Sequence, residues 1–233
     1  MNHELIVTDD AAELASVAAR HVLAVATRCA DERGRFSMAV SGGHTPWAMF
    51  AELSELAMPW ERTTIHQVDE RVAPAGDDQR NLVHLRAALG GAPAQVVAMP
   101  VEATDLERAA RDYSDRLPTR FDLVHLGLGT DGHTASLVPG DDVLEVTDAT
   151  VAVTSSTYQG HRRMTLTYPG LALADRLVWL VSGRSKADAL GRLLGGDRTI
   201  PAGRVRAGRS IVIADRDASG GSDDADGAQE DGP

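Results

Sequence analysis

The stretch Phe121–Gly140, FDLVHLGLGTDGHTASLVPG, decides how the chain is read. Its first six residues form an apolar run with the length of a buried strand. Gly127–Gly132, GLGTDG, then satisfies G-x-G-x-x-G, the pattern of a turn that grips a dinucleotide. Such a turn works only when its last glycine opens a long helix. Here Pro139-Gly140 stops any helix within about two turns of Gly132. Asp131 would also set a carboxylate against the pyrophosphate, where like charges repel. The segment lies mid-chain as well, far from a first βα unit, so the nucleotide reading is rejected. What is left is a glycine-flanked Asp131-Gly132-His133 on a tight turn at a strand end. That turn holds an imidazole, able to take a proton from water near neutrality, with a carboxylate two residues away to orient it.

Outward from this point, strand-like and helix-like patterns alternate. On the amino-terminal side the order is strand 5–8, helix 9–30 with Gly34 beyond it, strand 36–40, and a helix opened by Thr45-Pro46. Strand 64–68, a short helix at 81–89, strand 96–99 and a helix introduced by the capping box Thr104-x-x-Glu107 follow. After strand 121–129 come TVAVTS (150–155), RMTLT, strand 176–181, a helix over 185–194 and strand 211–214. Near-continuous apolar strands between amphipathic helices predict an α/β domain over residues 1–214. Its core is a single doubly wound, mainly parallel sheet with helices on both faces. Ligands of such sheets bind beyond the carboxyl ends of the strands.

The formal charge is −11; residues 215–233 carry seven acids and one arginine, a net of −6, which leaves −5 for the rest. With no periodic apolar residues, 215–233 is expected to be a disordered acidic tail. An acidic body argues against nucleic acid as a partner but admits a small anion in a locally positive pocket. Cys29 is the only cysteine, so no internal disulfide forms and a reducing cytoplasm is expected. No run reaches ~18 apolar residues and no signal pattern opens the chain, so no membrane association is expected. The eight histidines are scattered without ligand spacing, and the chain has no nucleophile elbow and no phosphate-binding P-loop. Neither a metal nor an organic cofactor is expected.

Four strand ends could share a site. Ser41-Gly42-Gly43 precedes Thr45-Pro46, and this is either an anion seat at a helix start or an ordinary tight turn. Asp69-Glu70-Arg71 follows a strand and either faces solvent or lines a cleft; Arg71 could pair with a carboxylate or phosphate through two N–H groups. Asp131-Gly132-His133 is the third. The fourth is a split basic pair: Arg163, heading RMTLT, and Lys186, at the first turn of a helix, where the helix dipole opposes a cation unless an anion binds or the lysine simply faces solvent.

SGGHTP (41–46), VDERV (68–72) with RNL (80–82), GLGTDGHTASLVPG (127–140), RMTLTY (163–168) and LVSGRSKADAL (180–190) appear in the order and rough spacing of the 6-phosphogluconolactonases. The chain resembles that family over most of its folded length. The resemblance implies a modified doubly wound fold, shared with glucosamine-6-phosphate isomerases/deaminases. It implies cofactor-free hydrolysis of 6-phospho-D-glucono-1,5-lactone to 6-phosphogluconate, the second step of the oxidative pentose phosphate pathway. His133 would be the general base, supported by Asp131. Ser41, Gly42, Gly43, Arg163 and Lys186 would hold the phosphate, and Asp69 and Arg71 would face the sugar ring. The isomerase/deaminase branch uses an extra glutamate where this chain has Val138 and tends to place an aromatic where it has Arg71. A sugar-phosphate sensor without turnover is the remaining alternative, and the retained Asp131 and His133 weigh against it.

Overall fold

Strands such as Arg176–Val181, RLVWLV, have no polar face to offer water, so both sides of their sheet must be covered. A computed structural model describes residues 2–220 and shows how this is done. In chain order the elements are β1 (Glu4–Thr8), α1 (Ala11–Arg33), β2 (Phe36–Val40), α2 (His44–Ser54), β3 (Thr63–Gln67) and β4 (Asp69–Arg71). Then come α3 (Asn81–Leu89), β5 (Gln95–Val97), α4 (Leu106–Ser114), β6 (Leu123–Gly127), β7 (Val151–Val153) and β8 (Arg163–Leu166). The last are α5 (Tyr168–Leu171), β9 (Arg176–Val181), α6 (Ala187–Leu194), α7 (Pro201–Arg204), β10 (Arg209–Asp215) and α8 (Arg216–Ser219).

Seven strands pair in parallel in the order β1-β10-β9-β6-β2-β3-β5. From β2 the chain winds outward through β3 and β5. It then returns to β6 on the other side of β2 and continues through β9 and β10. The order reverses between β2 and β6, which puts a crevice outside Val40 and Gly127, their carboxyl ends. Along β9, Leu177, Trp179 and Val181 enter one core cluster while Val178 and Leu180 enter the other. α1, α2 and α3 cover the second cluster with Leu14, Val22, Phe50, Leu53 and Leu85. α4 and α6 cover the first, through Tyr113, Leu190 and Leu193. Among the described residues no helix is long and apolar enough to cross a membrane.

The parallel α/β architecture is the expected one, with an addition. DER, VAV and RMTL form a separate antiparallel sheet, β4-β8-β7, in which Asp69 faces Thr165 and Val151 faces Leu166. TVAVTS and RMTLT are set apart by their local pattern, but Asp69-Glu70-Arg71, expected to follow a strand, itself forms one. Membership of a second sheet depends on partners 96 residues apart in sequence, as Asp69 and Thr165 are. Two helix starts also differ. α2 opens at His44, with Gly43 rather than Thr45 as its N-cap, and α4 is capped by Asp105, which accepts from the Arg108 amide at 2.9 Å, not by Thr104.

The acidic tail does not start at 215. Asp215 ends β10, and its carboxylate accepts from Ser182 Oγ (2.5 Å), the Gly183 amide (3.0 Å) and the Ala218 amide (2.8 Å). Ala218 is buried in α8. A capping acid thus ties 215–220 into the fold; the rest of the expected tail, 221–233, lies outside the described residues.

Glu70 is completely buried and is paired with an almost equally buried arginine, Arg80, across 3.2 Å. Glu70→Ala should therefore lower the unfolding free energy by about 3–5 kcal/mol, because it removes the buried partner of Arg80 Nε. That guanidinium is left with only Glu102 and two carbonyls, and the buried Asn81 and Leu82 amides lose their acceptor. Chemical denaturation checks this, and a loss below ~1 kcal/mol would mean that the pair is not holding the fold.

Candidate active site

The crevice between β2 and β6 opens into a cleft of about 800 Å³. Ser41, Gly42, Gly43, Asp69, Arg71, His133, Arg163 and Lys186 all line it, so the four strand ends converge. Asp131 is not on the cleft wall; it stands behind His133.

In the turn after β6, the Gly129 amide donates to the His133 carbonyl (2.8 Å) and the Gly132 amide to the Gly129 carbonyl (3.0 Å). Asp131 Oδ1 accepts from the His133 amide (3.0 Å) and lies 2.6 Å from His133 Nδ1. A Cβ on Gly129 would sit 2.0 Å from that Nδ1, so only glycine lets the ring lie across this turn. The glycine pattern therefore makes room for an imidazole, not for a pyrophosphate. Burial alone would lift the Asp131 carboxyl. The His133 amide, the charge of a protonated His133 ring and its N–H bond together outweigh that and hold it below the usual carboxylate range. An ionised carboxylate only accepts, so Nδ1 must donate, and the lone pair of His133 is on Nε2. The Tyr158 ring meets the imidazole edge-on, with centroids 5.2 Å apart.

At β2 the Ser41 amide donates to His125 Nδ1 at 3.3 Å. His125 is fully buried in β6 and burial pushes its pKa down to about 3, so it stays neutral and can accept. Among the described residues the amides of Gly42 and Gly43 donate to no protein acceptor, and α2 has no side-chain cap. The helix thus presents orphan N–H groups and the positive end of its dipole to the cleft. Ser41 Oγ, which is buried, also lacks a partner.

The three charges of β4 part company. Asp69 accepts from Ser136 Oγ (2.6 Å) and Arg71 Nη1 donates to Asn81 Oδ1 (2.7 Å); both residues line the cleft. Glu70, expected to face solvent or the cleft, does neither. It accepts from the amides of Asn81 (2.8 Å) and Leu82 (2.9 Å), capping α3 from a distance. Asn81 Nδ2 donates to the Asp69 carbonyl (3.0 Å), and its Oδ1 would meet a Cβ on Gly42 at 2.0 Å. Asn81 is therefore the joint between β4 and the loop after β2.

Arg163 is buried, donates through Nη2 to the Tyr158 carbonyl (3.0 Å) and lies 3.9 Å from Asp69 Oδ2. Burial, only partly offset by Asp69, lowers its pKa, yet a guanidinium stays charged. Lys186 ends a short 3-10 turn, Arg184–Lys186, directly before α6, and forms no ion pair among the described residues. Sequence reasoning passed over Tyr158, His125 and the separate role of Glu70. Asn81 appeared only inside the RNL run, and nothing local marks Tyr158, which reaches the site from the turn between β7 and β8.

The profile of the family described as glucosamine-6-phosphate isomerases/6-phosphogluconolactonase matches residues 9–213. A Synechocystis protein named 6-phosphogluconolactonase is 36% identical over 181 residues, covering 72% of this chain and 75% of its own. A solved 6-phosphogluconolactonase from Shewanella baltica superposes with a TM-score of 0.84 at 25% identity, covering 92% of this chain and 98% of that one. A monomeric glucosamine-6-phosphate deaminase superposes with a TM-score of 0.82 at 20% identity, covering 94% of this chain and 100% of that one. At that identity it shows a shared fold alone, so architecture does not separate the two chemistries. The chain belongs to the glucosamine-6-phosphate isomerase/6-phosphogluconolactonase family.

Proposed function

We propose that this chain hydrolyses 6-phospho-D-glucono-1,5-lactone to 6-phosphogluconate, with His133 as the general base. The observation that carries the reading is His133, held by Asp131, standing on the same cleft as the uncapped start of α2 and Lys186. The name of the 36%-identical Synechocystis relative supports it.

His133 Nε2 takes a proton from water as the oxygen adds to the lactone carbonyl. Asp131 stabilises the imidazolium that forms. The tetrahedral oxyanion collapses by breaking the ring C–O bond, and the imidazolium returns its proton to the departing alkoxide. One water is consumed and a hydroxy acid is released. The phosphate is held by the Gly42 and Gly43 amides with Ser41, Lys186 and Arg163, while Asp69 and Arg71 face the sugar ring. Lactone strain makes a covalent nucleophile unnecessary.

The isomerase/deaminase reading needs a further proton-transfer group. Val138 occupies the position where that branch places a glutamate, and it does not line the cleft. The same reading puts the enzyme in the cytoplasm, in keeping with a single, buried thiol at Cys29.

His133→Ala is expected to cut turnover by about 10²–10⁴-fold with little change in substrate affinity. A pH-stat assay reads both, and near-normal turnover would remove the histidine from the chemistry; glucosamine 6-phosphate in a parallel assay should give no ammonia. Lys186→Ala should raise KM for the phosphorylated lactone by about tenfold or more and leave unphosphorylated gluconolactone unaffected. Equal effects on the two substrates would take Lys186 out of the phosphate seat. Gly129→Ala should reduce kcat nearly as far as His133→Ala, since the added methyl displaces the ring; an unaltered kcat would show that the turn can yield without moving the base.

A further inference from the structure

The amino ends of β1, β10 and β9 lie at the opposite end of the sheet from the cleft and open onto a second cavity of about 650 Å³. Parallel register places Arg209, the first residue of β10, beside Arg176, the first residue of β9, with both side chains on one face of the sheet. α1 adds Arg28 and His21 to the lining. Like charges on neighbouring strands cost stability, and nothing in the packing of the fold calls for this pair.

Compensation is incomplete. Arg176 Nη1 pairs with Asp175 Oδ2 at 2.8 Å, but Arg28 and Arg209 take part in no ion pair among the described residues. Three arginines face a single carboxylate in the cavity lining, that of Glu4, in a chain whose net charge is −11. His21 Nε2 is buried and has no hydrogen-bond partner among the described residues, a rare condition for an imidazole nitrogen. Burial first, then the fields of Arg176 and Arg28, hold His21 below its ordinary pKa, so its ring is neutral where cations surround it. Val25 and Ile211, on the same face of the sheet as the arginines, supply the apolar side. The volume falls in the ligand-pocket range of about 300–1,000 Å³ and far exceeds what a bare oxyanion fills.

We infer that this cavity is a second ligand site, remote from the cleft, that binds a small organic phosphate. The dianion sits among Arg28, Arg176 and Arg209, with its carbon portion against Val25 and Ile211. Guanidinium forks match phosphate oxygens in pairs, and two guanidiniums without an ion-pair partner among the described residues, Arg28 and Arg209, suit a dianion better than a monocarboxylate. Concavity and an acidic body exclude the extended basic stripe that a nucleic acid requires.

Phenyl phosphate titrated into the full-length protein tests the inference, with the histidine ring resonances followed by NMR. His21 reports this cavity; His44 and His133 report the cleft. The expected result is a saturable shift of the His21 signals at millimolar ligand, weakened at least about tenfold in Arg28→Ala/Arg209→Ala. That double variant, altered only at exposed side chains, should keep or slightly raise its melting temperature, since it relieves the Arg176–Arg209 repulsion, and keep wild-type lactone turnover. Inorganic phosphate should move His21 at higher concentration than phenyl phosphate. Shifts confined to His44 and His133, or equal affinity in the double variant, would overturn the site. Equal potency of the two phosphates would overturn its organic component.

Discussion

The cleft depends on one buried carboxylate. Glu70 receives the amides of Arg71, Asn81 and Leu82, the Gln67 amide side chain at 2.8 Å and the Arg80 guanidinium, so neither oxygen is left bare. Burying such a group is tolerable only when its partners are numerous and fixed. Those partners come from the end of β3, from β4 and from the first turn of α3, and satisfying Glu70 locks the three together. A side effect is that Asn81 is held with its side chain reaching Asp69, Arg71 and the space above Gly42. One desolvated charge thereby sets the spacing between the Asp69–Arg71 wall of the cleft and the loop at the head of α2.

The opposite wall is set by a second acid used in the same way. Asp215 binds Ser182, Gly183 and Ala218, closing the end of β10 onto the loop that carries Lys186. In both places a carboxylate acts as an acceptor of backbone and side-chain N–H or O–H groups, and the cation that faces the cleft is left to other residues. That division helps an acidic protein present a locally positive cleft: the negative charges of Glu70 and Asp215 are spent internally, on amides, a hydroxyl and a buried guanidinium, near the positions where the lysine, the arginines and the open helix start emerge.

Much of this was legible in sequence, and the failures share a cause. β9, the 81–89 helix and the Gly34 cap follow from apolar periodicity and turn residues, which are local properties. The convergence of the four strand ends follows from the rule that parallel sheets bind at their carboxyl ends. Glu70 was misjudged because three adjacent charges look bound for solvent or a cleft until the amides eleven and twelve residues onward are known to need a cap. The β4-β8-β7 sheet, Tyr158 over His133, and Asp215 bridging to Ser182 are set by long-range partners that no short window contains. Thr45 lost the N-cap to Gly43, which leaves the start of α2 without a side-chain acceptor, a feature suited to an incoming anion.

G-x-G-x-x-G can thus stand for two different physical solutions. In a dinucleotide turn the absent Cβ atoms admit a ligand, and the charge that completes the site arrives with it. In Gly127–Gly132 the space vacated at Gly129 is filled from within, by the ring of His133. The backbone closes on itself through the Gly129–His133 and Gly132–Gly129 bonds, and Asp131 grips both the amide and the ring of His133. Carboxylate and imidazole therefore belong to one small closed loop, whose hydrogen bonds fix their mutual geometry from within the turn. The letter that decides between the two solutions is the residue after the last glycine: a helix start there favours a phosphate, a histidine held by the preceding aspartate favours proton transfer.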